Sequence, residues 1–173
     1  MRRYGADVVA LRRGVVTHLT AIGPWHVRIS RVMATFLFLI NPTRAYDPYP
    51  DWARWNHALA QGQRVRTTWN TGTRRRGMSA GDRAVIVKVG VEPRGLVGIG
   101  YVDGPIVVGP HWNPDARSPE TGFVDLELAR LWPIDDPLPL EILQWRAPHV
   151  LWTPRQSGTS IDIDINQLLA ESS

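Results

Sequence analysis

The apolar residues in the body of this sequence come in short runs, and turn-forming residues end each run. The longest of them, Val32–Ile40, is interrupted only by Thr35 and stops at Asn41-Pro42. Short runs of β-branched and aromatic residues between glycine, proline and asparagine are typical of strands. A run of this length is also too short to cross a bilayer as a helix. The pattern therefore predicts a domain built around a sheet, with no membrane-spanning segment.

Two periodicities locate the elements. Alternating or continuous apolar residues predict strands at 35–40, 64–69, 83–89, 96–102 with 106–108, and 123–131. Helical spacing predicts helices at 51–60, 139–145 and 164–171, the first of them capped by Asp51. A chain of 173 residues, 43% of them apolar, is long enough for one domain with its own core. We therefore predict an α+β fold, a small barrel of five or six short strands with two or three flanking helices.

Charge is distributed unevenly along the chain. Residues 1–32 carry six arginines and one acid, whereas residues 33–173 carry 14 basic and 15 acidic side chains. The net charge of +4 therefore does not describe a basic body. We predict that residues 1–32 are a disordered extension, that translation starts at Met33, and that 33–173 is the folded domain. A basic arm that contacts phosphate backbones is the alternative interpretation of residues 1–32.

The sequence contains no recognisable arrangement of side chains for catalysis or metal binding. The chain has no cysteine, and its five histidines lie far apart, at positions 18, 26, 57, 111 and 149. It contains neither a Gly-x-Ser-x-Gly turn nor a glycine-rich phosphate loop between a strand and a helix. We therefore predict a protein that is not an enzyme and has no cofactor or metal. The lack of a recognisable export signal predicts a cytoplasmic location.

Three of the eight tryptophans stand at strand ends or in loops, beside small or hydrogen-bonding residues. They are Trp69 before Asn70-Thr71-Gly72, Trp112 after His111, and Trp152 before the loop that ends at Gln156-Ser157-Gly158. An aromatic plane beside polar groups suits a flat heterocycle, because stacking contributes about 1–3 kcal/mol per base and polar groups bind its edge. The pattern predicts a pocket for a nucleobase. The alternative is that each tryptophan fills one end of the barrel.

A cluster of arginines follows the first of these tryptophans. Arg74, Arg75 and Arg76 come directly after the Trp69–Gly72 segment. Arginine contacts to phosphates give nucleic-acid affinity that depends on salt, while a base pocket gives selectivity. The cluster predicts a phosphate-binding loop beside the pocket, with a solvated charged turn as the alternative.

Seven short motifs form an ordered set over about residues 34–165. They are Asn41-Pro42, Trp69-Asn70-Thr71-Gly72, Gly81-Asp82-Arg83, Gly90-Val91-Glu92-Pro93-Arg94-Gly95, Gly98-Ile99-Gly100, His111-Trp112 and Gln156-Ser157-Gly158. The ordered set resembles the EVE family of PUA-like domains. It is most similar to the branch found alone or fused to HNH endonucleases in bacterial restriction systems. This chain contains no HNH endonuclease motif.

The resemblance implies a PUA-like pseudo-barrel that binds a modified base, above all a modified cytosine such as 5-methylcytosine in DNA, flipped into an aromatic pocket. It implies that Trp69, Asn70, Thr71 and Gly72 line one wall and that Gln156, Ser157 and Gly158 line the opposite wall. It also implies that Tyr101, His111 and Trp112 close the mouth of the pocket. A nuclease that acts with the protein would be a separate subunit.

Two further functions remain open from the sequence. Related PUA-like domains bind modified RNA, so an RNA-binding module is one alternative. A domain that senses a protein or a small molecule is another, because the near-neutral charge of residues 33–173 does not require a nucleic-acid partner.

Overall fold

The computed structural model of the protein describes residues 32–44, 47–111 and 118–170, and the backbone of three strands before them. The chain divides into two compact units, residues 1–33 and residues 34–173. In the first unit, strands β1 (Val9–Arg12), β2 (Val15–Ala21) and β3 (Val27–Ser30) form an antiparallel sheet in that order. The disorder expected for residues 1–32 and the start at Met33 stay predictions.

The second unit alternates short strands with three helices. Its elements are β4 (Thr35–Ile40), α1 (Tyr49–Ala60), β5 (Val65–Asn70), β6 (Arg83–Lys88), β7 (Gly95–Val102), β8 (Val107–Pro110), β9 (Glu120–Leu131), β10 (Leu138–Pro139), α2 (Leu140–Arg146), β11 (Thr159–Ile161) and α3 (Ile165–Ala170). The strands form one mixed sheet in the order β11-β4-β6-β7-β9-β5. Only β4 and β6 pair in parallel along this path, and β8 and β10 add short pairings to β9 and β7. The predicted α+β pseudo-barrel is confirmed, with six strands along its path and three helices.

The sheet separates two hydrophobic cores. Because side chains alternate across a strand, Phe36 and Phe38 of β4 enter one core while Leu37 enters the other. The first core lies against α1 and includes Trp52 and Trp55. The second core lies against α2 and α3. Burial of both faces explains why β4 and β6 appear in the sequence as continuous apolar runs.

Helix α1 begins two residues before the predicted start. Its N-cap is Pro48, which makes no capping side-chain hydrogen bond, and Pro50 occupies the first turn. Proline fits there because the first turn has no partner for its missing N–H group. The predicted cap, Asp51, therefore lies inside the first turn. In contrast, the Asp164 carboxylate does cap α3, because it accepts the amide of Asn166 at 2.9 Å.

Candidate functional site

The sheet is open along a seam between the second half of β4 and the edge strand β5. Strand β11 pairs only with residues 35–37 of β4, and β5 lies at the other end of the strand order. At the seam, the Leu39 amide donates to the Ser157 hydroxyl at 2.9 Å, and the Leu39 carbonyl accepts the Trp69 indole N–H at 3.3 Å. Side chains thus replace a strand partner, and space remains between the two edges.

A cleft of about 560 Å³ opens at this seam. It is lined by Leu39, Ile40 and Asn41 of β4 and the turn after it, Asp51 and Trp55 of α1, Thr67, Thr68, Trp69 and Asn70 of β5, Phe123 of β9, and Ser157. The volume lies within the range of pockets that hold small organic ligands. Three aromatic side chains and several polar groups make this lining suitable for a flat heterocycle.

Trp69 is held rigidly in the wall of the cleft. Only 8% of its surface is exposed, and its ring meets Phe38 edge-on with 6.4 Å between the ring centroids. The indole hydrogen bond to Leu39 fixes the ring orientation across the seam. The packing therefore presents a fixed aromatic surface to the cleft rather than a mobile side chain.

The residues after Trp69 build a tight turn behind the cleft. Asn70 accepts the Gly72 amide at 2.6 Å and donates to the Thr121 hydroxyl at 2.9 Å. Thr71 is fully buried, and its hydroxyl donates to the Arg74 carbonyl at 2.8 Å. Of the first predicted wall, Trp69 and Asn70 therefore line the cleft, while Thr71 and Gly72 shape the turn.

The second predicted wall lies directly beside this turn. The Gln156 side-chain carbonyl accepts the Thr73 hydroxyl at 2.9 Å, and the Gly158 amide donates to the Leu37 carbonyl at 2.8 Å. Ser157 lies between them and lines the cleft. The structure therefore brings the two predicted segments together, but within the second segment only Ser157 reaches the cleft.

The arginine cluster is largely occupied by contacts within the protein. Arg74 donates to the Gly158 carbonyl at 2.5 Å and lies over the Phe36 ring, 5.1 Å from its centroid. Arg75 donates to the carbonyls of Gly72 at 2.7 Å and Glu120 at 3.0 Å. These contacts fasten the turn to its neighbours, so the guanidinium groups of Arg74 and Arg75 are engaged. Arg76 is exposed.

Several predicted pocket residues lie away from the cleft. Trp152 is buried in the second core, where its indole donates to the Ala147 carbonyl at 3.2 Å. The ring of Tyr101 lies under Arg83, on the same sheet face as Ile99 of the second core. His111 follows β8 and does not line the cleft. Trp112 falls outside the described residues.

Helix α1 forms a wall of the cleft that the sequence did not indicate. Trp55, which lies within the helix that the sequence predicts, is buried and also lines the cleft. The helix is anchored by the Trp52 indole, which donates to the Trp132 carbonyl at 2.8 Å. Its N-terminal Tyr49 hydroxyl donates to the Asp135 carboxylate at 2.7 Å, and this hydrogen bond raises the pKa of Tyr49 above its ordinary value.

Asp51 is the charged side chain of the cleft. Among the residues that line it, no other is acidic or basic. Arg54 donates to one carboxylate oxygen of Asp51 at 2.6 Å from the next turn of α1. Within the described part of the chain, no group of histidines and acids has the arrangement of a metal site. The described helices also include none long and apolar enough to cross a membrane.

Comparison with known proteins identifies the fold. No family model and no curated protein sequence matches this chain. A hypothetical protein from Leishmania major aligns with 82% of this chain and 98% of its own, with a TM-score of 0.53 and 17% identity. A Pseudomonas syringae protein aligns with 80% of this chain and 97% of its own, with a TM-score of 0.50 and 17% identity.

Human THYN1, in complex with DNA that contains 5-methylcytosine, aligns with 80% of this chain and 96% of its own. The TM-score is 0.51 and the identity is 14%. The second unit has a PUA-like fold. At such low identity the likeness establishes the architecture, whereas ligand and residue roles depend on the site itself.

Proposed function

We propose that this protein is a non-catalytic nucleic-acid-binding module of the EVE type that holds a modified base, a modified cytosine in DNA, in the cleft between β4 and β5. The observation that carries the proposal is the position of Trp69, a rigid aromatic surface at the end of β5 that lines a ligand-sized cleft. The DNA-bound state of human THYN1, which has the same fold, supports a nucleic-acid ligand.

A base must leave the duplex to enter such a cleft. The lining comes from four elements, β4, α1, β5 and β9, and from Ser157, whereas a stacked base pair presents only its groove edges. A flipped base can place its ring against Trp69, Trp55 or Phe123, at about 1–3 kcal/mol of stacking per base. The Asn41 side-chain oxygen accepts the amide and the hydroxyl of Thr43, so its NH2 group and the Thr67 hydroxyl, both in the lining, are available to the polar edge of the base.

The phosphate contacts of this proposal fall on exposed arginines. Arg76 is the exposed member of the predicted cluster. Arg155, also exposed, lies two residues before Ser157. In a modification-dependent restriction system, cleavage of the bound DNA would fall to a separate nuclease subunit.

The proposal is tested with a substitution that removes the aromatic ring of Trp69 but leaves no large cavity in the core. Trp69→Ala would lower the free energy of unfolding by about 3–5 kcal/mol because Trp69 is buried. Trp69→Leu keeps much of the apolar volume. Trp152→Leu is the matched control, because Trp152 is also buried with its indole N–H on a backbone carbonyl, but it belongs to the second core and does not line the cleft.

The measurement is fluorescence anisotropy of labelled oligonucleotides with cytosine or 5-methylcytosine, as single strands, duplexes and RNA, at two salt concentrations. We expect tighter binding to the modified base, a preference that Trp69→Leu loses and Trp152→Leu keeps. Equal loss in both variants would attribute the effect to stability, and an unchanged preference in Trp69→Leu would rule out this cleft. Tighter binding to the RNA oligonucleotides than to the DNA oligonucleotides would identify RNA as the ligand instead of DNA.

A further inference from the structure

The cleft combines aromatic surfaces with a single acid. Three aromatic side chains line it, those of Trp55, Trp69 and Phe123, and its one charged lining residue is Asp51. Two of the rings are buried and fixed, with 7% of Trp55 and 8% of Trp69 exposed. Aromatic faces attract cations through the ring quadrupole, and a carboxylate in the same wall adds a full countercharge.

The other polar groups of the lining are mostly satisfied within the protein. The Asn70 side chain bonds to Gly72 and Thr121, and the Thr68 hydroxyl donates to Asp125 at 2.6 Å. Ser157 accepts the Leu39 amide. These groups have little capacity left for a ligand, so charge is the strongest remaining determinant of what the cleft accepts.

Asp51 retains the capacity to accept a ligand. Its Oδ1 atom accepts Arg54, whereas Oδ2 makes no hydrogen bond within the described residues. The Arg54 side chain is 71% exposed, and exposed ion pairs of this kind contribute only about 0.2–1 kcal/mol. A cationic ligand can therefore share or displace Arg54 at low cost.

We propose that the cleft prefers bases that carry a positive charge through methylation of a ring nitrogen, such as 3-methylcytosine, over neutral modified bases. This inference rests on the proposed function and specifies its ligand class. The methylated ring contacts the aromatic walls, and Asp51 neutralises the charge and accepts the exocyclic amino group. The same carboxylate disfavours bases that carry a negative charge.

The experiment compares two isomers at one position of one single-stranded oligonucleotide at pH 7. 3-Methylcytosine and 5-methylcytosine have the same number of methyl groups, but only the first is cationic there. We expect the full-length protein to bind the 3-methylcytosine strand about 10- to 100-fold more tightly, the range of a charge-assisted hydrogen bond. Asp51→Asn should reduce the ratio of the affinities for 3-methylcytosine and 5-methylcytosine by about tenfold and leave the affinity for 5-methylcytosine nearly unchanged.

Two variants serve as controls. Asp125→Asn makes the same chemical change at an exposed carboxylate that bonds to Thr68 but does not line the cleft, so the ratio should stay as in the wild type. Arg54→Gln removes the competing cation and keeps the Asp51 carboxylate, so the ratio should rise or stay unchanged.

The outcomes separate this inference from the function on which it rests. Binding of 5-methylcytosine with no advantage for 3-methylcytosine would overturn the inference and leave the proposed function intact. Binding of neither strand would overturn both. An equal loss of the ratio in Asp51→Asn and Asp125→Asn would also overturn the role of Asp51. Tighter binding of a trimethyl-lysine peptide than of either strand would replace the base with a peptide cation.

Discussion

At the residue scale, Thr71 was expected to contact the ligand, but it packs against Gly122 and fixes the turn at the end of the cleft instead. Thr71 is fully buried, and its amide donates to the Gly122 carbonyl at 2.8 Å. A β-carbon on Gly122 would collide with the Thr71 hydroxyl and the Arg74 carbonyl. The close approach of these backbones sets the position of the turn after β5, and with it the end of the cleft.

We therefore expect Gly122→Ala to lower the free energy of unfolding by about 1–3 kcal/mol, because the Arg74 carbonyl belongs to the backbone and cannot rotate away. Urea unfolding of both proteins measures this change. Gly104→Ala is the matched control, since a β-carbon there would meet no atom within 4 Å. A loss for Gly104→Ala equal to that for Gly122→Ala would contradict the explanation.

At the scale of elements, the segment between β5 and β6 contains arginines with two different environments. Arg75 reaches back to the carbonyls of Gly72 and Glu120, whereas Arg76 is exposed. Three consecutive arginines in a sequence look equivalent, because position along the chain does not show where each side chain points. The backbone of the turn separates them.

Truncation of Arg75 and truncation of Arg76 should have different effects on stability and on binding. Arg75→Ala should lower the free energy of unfolding by about 1–2 kcal/mol, because it removes two hydrogen bonds from a charged donor. Arg76→Ala should change it by less than about 0.5 kcal/mol. If Arg76 contacts a phosphate, its removal should also reduce the slope of log affinity against log salt by about 0.7 for single strands.

Urea unfolding and anisotropy titrations at several salt concentrations measure these quantities. A lower salt slope in Arg75→Ala without loss of stability would show that Arg75 contacts phosphate instead of the turn.

On the scale of the whole molecule, the chain consists of two units with a boundary next to Met33. The described core residues of the second unit all lie at or after Ala34. We propose that residues 33–173 fold independently of residues 1–32. The two sides of the second sheet are covered by helices from within that range, so its apolar surface does not require an additional segment.

A protein of residues 33–173 should therefore unfold in urea at the same midpoint and with the same slope as the corresponding transition of the full chain. The slope reports the surface exposed on unfolding, and that surface is unchanged if the unit is independent. Circular dichroism and tryptophan fluorescence follow the transition. A lower midpoint in the shorter protein would show that residues 1–32 stabilise the second unit.

The sequence alone determined the types of most elements and the fold class. The strands at 35–40 and 83–88 and the helix near 51–60 follow from periodicity and from turn residues, which act over a few positions. Trp69 could be assigned to the cleft for a similar reason, since it stands at the end of a strand with a recognisable pattern, whereas Ser157 was assigned through the resemblance to the EVE family.

The tertiary structure decided which side chains meet at the cleft. The seam exists because β11 pairs with only the first half of β4 and β5 stays at the edge, and both facts depend on strand order over more than 100 residues. That arrangement brings Asp51 and Trp55 of α1 to the cleft and leaves Trp152 and Tyr101 on the other face of the sheet. Local patterns carry no information on such long-range pairing, because the alternation that marks a strand is the same whichever strand lies beside it.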